Sequence, residues 1–239
     1  RMNILIEFAP KRLDDDELEV QLNNIKKSKN TVEACQLTND LATRLRLQGD
    51  IEKGVEILSS VVERSNEVTE INELAHSALK LAIYLDEMDR REEAESWFKK
   101  IADAEHGPDS VNIRTVGDAC QRYSALLVEA GRIAESKEYM IRHNALAEMM
   151  GDPYLFVRSC FNIVTDCHEL GQGEEAEEWF LLGMMNLRDG ISVGPTMGIS
   201  PQHQQALLEL SSNVSGLIGQ EHAWMGMMQH IFGDELGQS

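Results

Sequence analysis

Of the side chains that do chemistry at neutral pH, this chain holds seven histidines and four cysteines. His76, His106, His143, His168, His203, His222 and His230 have the pKa of general bases and the nitrogens of metal ligands. None stands in an HExxH spacing or beside an obvious nucleophile and orienting partner. His222 and His230 are eight residues apart, near one helical face, but a zinc site needs three or four ligands. Cys35, Cys120, Cys160 and Cys167 form no CxxC pair and read as reduced core thiols, which suits a reducing compartment. Glycine-rich phosphate loops are absent from the sequence. The expectation is no enzyme, no cofactor and no metal. A second group of residues suits recognition better. Asn39, Gln121 and Asn162 can donate and accept hydrogen bonds along a peptide backbone, and Lys80, Arg122 and Arg158 can pair with carboxylates.

The elements that position these groups are helices. Aromatic residues make up 5% of the chain and prolines number five, while Leu, Ala, Glu and Met recur throughout. With 42% apolar residues in 239, the chain can bury a sizeable core. No stretch approaches the length of apolar sequence a membrane helix requires, so membrane insertion is not expected. The net charge of −19 argues against nucleic acid, whose phosphates need clustered Lys and Arg. Localisation is cytoplasmic by default, a reading that a targeting segment removed ahead of Arg1 would change.

Four segments, beginning at Leu41, Leu81, Tyr123 and Ile163, read as a helix, a tight turn and a second amphipathic helix. Their turn residues Gly49, Asp89, Gly131 and Gly171 are spaced by 40, 42 and 40 residues. Seven residues before each turn stands Ala42, Ala82, Ser124 or Val164, and five after it Gly54, Ala94, Ser136 or Ala176. Small side chains there let antiparallel helices approach closely. Nine residues after each turn come Leu58, Phe98, Met140 and Phe180, large enough to fill the gap against the next pair. Residues 13 to 29 form an amphipathic helix led by Asp14, Asp15, Asp16 and Glu17. After Arg188, the Gly, Ser and Pro of DGISVGPTMGISP are expected to break the helix, and a last, degenerate pair follows, with Trp224 in place of the small residue.

This pattern resembles the tetratricopeptide (TPR) repeat family over residues 31 to 190. The 40 to 42-residue period, longer than the family's usual unit of about 34, is similar to the repeats of kinesin light chains, as are the linker His106-Gly107-Pro108-Asp109 and Asn162. The usual closing proline is mostly missing. The resemblance implies an all-α, right-handed superhelical stack of antiparallel helix pairs. Residues 1–30 make an N-terminal segment and capping helix, 31–190 four helical hairpins, 191–201 a linker and 202–239 a degenerate capping pair.

Each first helix divides by its period into two faces. Thr38, Leu41, Ala42 and Leu45, with their counterparts in later pairs, form the core face. The other face carries Asn39; then His76, Leu79, Lys80 and Ile83; then Gln121 and Arg122; then Arg158, Phe161 and Asn162. The resemblance places it on the inner wall of the superhelix, where the family's ligands commonly lie. Leu79, Ile83 and Phe161 then become apolar anchors, and the three basic groups favour a protein or peptide with some acidic character. Two alternatives stand beside this. Asp40, Asp86, Asp118, Glu129 and Glu169 are close enough to pair with the same cations internally, and self-assembly through the end helices would make the groove secondary. Only Arg122 matches a position of the carboxylate clamp that some family members use, so a terminal carboxylate is not the expected ligand. The methionines Met149, Met150, Met184, Met185, Met225, Met227 and Met228 read as core filler or as adaptable contact surface.

Overall fold

The structure, a computed structural model, describes residues 13–28, 30–63, 68, 71–107, 110–194 and 198–236. Eleven helices account for most of them: α1 Asp15–Lys27, α2 Thr31–Leu47, α3 Ile51–Val62, α4 Asn72–Glu87, α5 Arg91–Ala102, α6 Ile113–Glu129, α7 Ile133–Met150, α8 Pro153–Glu169, α9 Gly173–Ser192, α10 Pro201–Leu217 and α11 Glu221–Leu236. Among the described residues there is no strand, only an isolated bridge between His106 and Val111. Pro108 and Asp109 of the linker motif lie outside the described residues. The chain forms two compact units, residues 1–119 and 120–239, whose boundary falls within α6.

One turn joins each pair. In it the residue after the turn donates its backbone N–H five residues back: Asp50 to Leu45 O (2.9 Å), Arg90 to Leu85 O (2.9 Å), Arg132 to Leu127 O (2.8 Å) and Gln172 to Cys167 O (2.8 Å). This closure satisfies a helix-end carbonyl and requires a left-handed residue just before the donor. Gly49, Gly131 and Gly171 take φ of 85°, 72° and 69°, and Asp89 does the same at 60°. The α10–α11 pair closes identically, with Gly219 at φ 71° and Gln220 N–H donating to Ser215 O (2.8 Å). The degenerate pair therefore keeps the turn although it loses the small residue.

Starting signals differ between the two helices of a pair. Several first helices begin at a side-chain cap: Asn30 accepts from Val32 and Glu33, Asp152 from Leu155, and Ser200 from His203, the last two followed by proline. Second helices α3, α5, α7 and α9 leave the tight turn with no side-chain cap. Acidic groups in their first turns, such as Glu92 and Glu93 or Glu174 and Glu175, complement the exposed N–H groups.

Packing follows the repeat register. Ala42, Ala82, Val164, Ala94 and Ala176 are fully buried, as is Ser136, and Leu58, Phe98, Met140 and Phe180 fill the interior beside them. Gly54 brings α3 onto α2 and α4: a Cβ there would stand 3.4 Å from Ala42 O and from the Tyr84 ring. In the second unit Trp224, at the small-residue position, donates its indole N–H to Ser211 Oγ (2.9 Å). All four cysteines are buried, and none of them is in a disulfide.

The break expected after Arg188 comes four residues later, because α9 runs on to Ser192. Gly190 is buried against Ile199, whose N–H donates to Gly190 O (3.0 Å), so this glycine serves close packing within a helix. The chain turns at Gly194, φ 81°. Among the described residues no helix is long and apolar enough to cross a membrane.

Candidate functional site

The candidate residues occupy the uncovered arcs of first helices, and each unit carries its own set. In the first unit α4 packs against α2, α3 and α5. That enclosure leaves only a narrow strip, in which His76 is exposed and Lys80 and Ile83 are half-buried. Leu79 is 4% exposed. It therefore belongs to the core and is no surface anchor, because three neighbouring helices bury more than the half of α4 that a two-face division assigns. Asn39 on α2 is likewise nearly buried, at 9%.

Lys80 reaches back to α2, the first helix of the preceding pair. Its Nζ donates to Asn39 O (3.1 Å) and Thr43 Oγ1 (2.8 Å), while Thr43 donates to the same carbonyl (2.7 Å). Burial lowers the Lys80 pKa, against the attraction of Asp40. Lys80 is thus engaged within the chain, but its hydrogen-bond acceptors are neutral oxygens and not the carboxylates that the internal alternative names. Asn39 Oδ1 is buried and has no partner among the described residues. Desolvation, then Lys80, lowers the His76 pKa, while Asp118 and Glu73 oppose the shift, so its imidazole is neutral near pH 7.

In the second unit the exposed parts of α6 and α8 bound a cleft of about 400 Å³, with Gln121, Arg158 and Asn162 on its wall, Val128 and Glu129 at its mouth, and Met140 and Asp166 below. Gln121, oriented with its amide oxygen toward Arg158, accepts from Nη1 and Nη2 (3.3 and 3.1 Å). Arg122 is exposed and Asn162 half-buried. Phe161 is fully buried. Its ring lies where a Cβ on Gly183 would stand, 2.8 Å away, and packs against Phe180 with centroids 6.1 Å apart. It is a core plug in a notch of α9, and the expectation of a solvent-facing anchor is corrected accordingly. The cause is again enclosure, since α8 contacts α7, α9 and α10.

Beneath the cleft runs a buried polar chain that the sequence reading passed over. Ser124 and Ser136 hydroxyls are 2.9 Å apart, and Ser136 donates to Asp166 Oδ2 (2.9 Å). Burial raises the Asp166 pKa, with Glu169 adding to the effect, while the Ser136 hydrogen bond and Lys137 oppose it. The signal was present: in this pair alone both small positions are serines, and a buried hydroxyl pair needs a further acceptor. Burial pushes the Cys160 thiol up to about 12 and Cys167 up to about 11, far from reactive thiolates.

No family model matches the chain, and neither does any curated protein. Solved structures do. A Podosopora anserina kinesin light chain-type protein of nearly identical TPR-like repeats superposes with a TM-score of 0.61 at 14% identity, over 89% of this chain and 100% of that one. A single-substitution variant of the same protein gives the same values. By its turns, its packing register and this likeness, the chain is a TPR-like helical repeat protein in fold.

Proposed function

We propose that the chain is a protein–protein interaction module that seats an extended or helical peptide of a partner on the uncovered arcs of its first helices. The observation that carries this reading is the α6–α8 cleft, where an apolar mouth at Val128 adjoins the hydrogen-bonding wall of Gln121, Arg158 and Asn162. A backbone amide of the peptide pairs with Asn162, and an acidic side chain meets Arg122 and Arg158. Asn39, His76, Lys80 and Ile83 supply the corresponding strip in the first unit, as secondary contacts because Lys80 is already engaged. Leu79 and Phe161 support the site from beneath.

Peptides selected on the intact chain from a displayed library, then titrated calorimetrically, test the reading. Arg158→Glu combined with Asn162→Ala should weaken them by more than about 2 kcal/mol, while surface substitutions of this kind leave stability within about 0.5 kcal/mol. Undiminished affinity in a normally folded double variant would remove the cleft from consideration.

Self-assembly through an end helix has its own support. In α11, Trp224, Met227, Met228, Ile231 and Phe232 are only half-buried and Met225 is 47% exposed, apolar area of the kind that marks a contact surface. Light scattering across a concentration series distinguishes this from a monomeric adaptor.

A further inference from the structure

The second helix of the fourth pair carries an apolar stripe that the proposed cleft does not use. On α9, Leu181 is 50% exposed, Leu182 38% and Met185 50%. With Glu174, Glu178 and Asp189, also exposed, they fall on one arc at steps of three and four residues. The arc spans about 22 Å at 1.5 Å per residue.

The repeat provides an internal control. Ten, eleven and fourteen residues after the turn, where the fourth pair has Leu181, Leu182 and Met185, the first pair has Ser59, Ser60 and Glu63 and the second has Lys99, Lys100 and Asp103. The third has Ile141, Arg142 and Ala145, and its isoleucine is packed against the core. The same register is thus met by polar groups in two pairs, so the fold itself does not demand leucine and methionine there. Large apolar groups left in water at adjacent positions mark a contact surface, and methionine suits one that adapts to its partner.

Charge selects the occupant. Among the described residues Glu174 and Glu178 make no ion pair, whereas Arg188, the nearby cation on this side, is tied to Asp189 at 2.8 Å. The stripe is therefore apolar along Leu181, Leu182 and Met185 and negative at its N-terminal end, where Glu174 and Glu178 are exposed, while the Arg188–Asp189 pair leaves the other end neutral. A second copy would bring no unpaired cation of its own stripe to Glu174 and Glu178, and an anionic lipid surface would be repelled. The geometry points to an amphipathic helix of a partner protein whose leucine-type face is flanked by Lys or Arg, docked along Leu181, Leu182 and Met185 of α9. This surface is separate from the α6–α8 cleft and does not depend on it.

The probe is a synthetic peptide of about five helical turns made of Leu and Lys, with leucines at helical spacing. An isomer with leucines at every second position and an analogue with Glu for Lys serve as controls. Fluorescence anisotropy with the full chain should show binding of the helical Leu/Lys peptide alone. Leu181→Lys with Met185→Asp installs the second pair's own residues, so folding is preserved, and should weaken binding tenfold or more. Glu174→Gln with Glu178→Gln should weaken it and flatten its salt dependence. Arg158→Glu with Asn162→Ala should leave it unchanged, so this proposal and the cleft reading fail separately. The proposal is overturned by absence of binding, by equal binding to the Leu181→Lys, Met185→Asp variant, or by equal binding of the alternating or Glu-containing peptide. It is also overturned if the chain sediments as a dimer that this variant dissociates, since a second copy would then cover the stripe.

Discussion

At the scale of single residues, the second unit places a carboxylate where water barely reaches it. Asp166 is 6% exposed, and burial raises its pKa. Between the unfolded and the raised folded value the native state holds a proton that the unfolded chain has released, so stability falls as pH rises through that window. Asp166→Asn keeps an acceptor for the Ser136 hydroxyl and abolishes the buried charge. The variant should melt at a higher temperature than the parent at pH 7, with the difference shrinking toward pH 4. Thermal scans across that range check this, and a difference that grows on acidification would show that the native carboxylate is stabilised. Lys80 belongs to the same scale. Its type and position suggest a free cation for a ligand, yet its hydrogen bonds run to Asn39 O and Thr43 Oγ1, a choice that depends on a helix distant in sequence.

The helical pair is the unit at which the sequence is most readable. Gly49, Gly131 and Gly171 announce the turn, and Asp89 occupies the same left-handed position at φ 60°. An L-residue there is strained by Cβ sterics, modestly so for aspartate, whose short side chain is among the better tolerated. The Asp89–Arg91 ion pair is too exposed to compensate much, with Asp89 at 85% side-chain exposure. Asp89→Gly should therefore be neutral or stabilise by less than about 1 kcal/mol, and Asp89→Val should cost about 1–2 kcal/mol. Urea midpoints at constant slope decide it. A helix end is harder to read than a turn: Gly190 looks like a breaker, yet it lies inside α9 because Ile199 packs onto it. Close packing and chain reversal use the same residue, and sequence does not separate the two.

For the whole molecule, stability is carried by contacts between neighbouring helices, as stacked repeats require. Ala82 and Ala176 are fully buried at close crossings in the first and second units. Ala82→Leu or Ala176→Leu overpacks its crossing and should cost about 1–3 kcal/mol. Because contacts are local, hydrogen exchange should accelerate most in α2–α5 for the first and in α7–α10 for the second. Uniform acceleration in both cases would mean that the chain unfolds only as a single block. What the sequence determined by itself was whatever repeats: the helical class, the turn positions, the small and large residues of the interior and the buried thiols, all imposed by local conformational preference and a fixed period. Which residues of a first helix stay in water was decided only by tertiary structure. Leu79 and Phe161 lie on the arc that periodicity assigns to solvent, but α4 and α8 each contact at least three other helices, and only the folded chain shows how wide the remaining arc is.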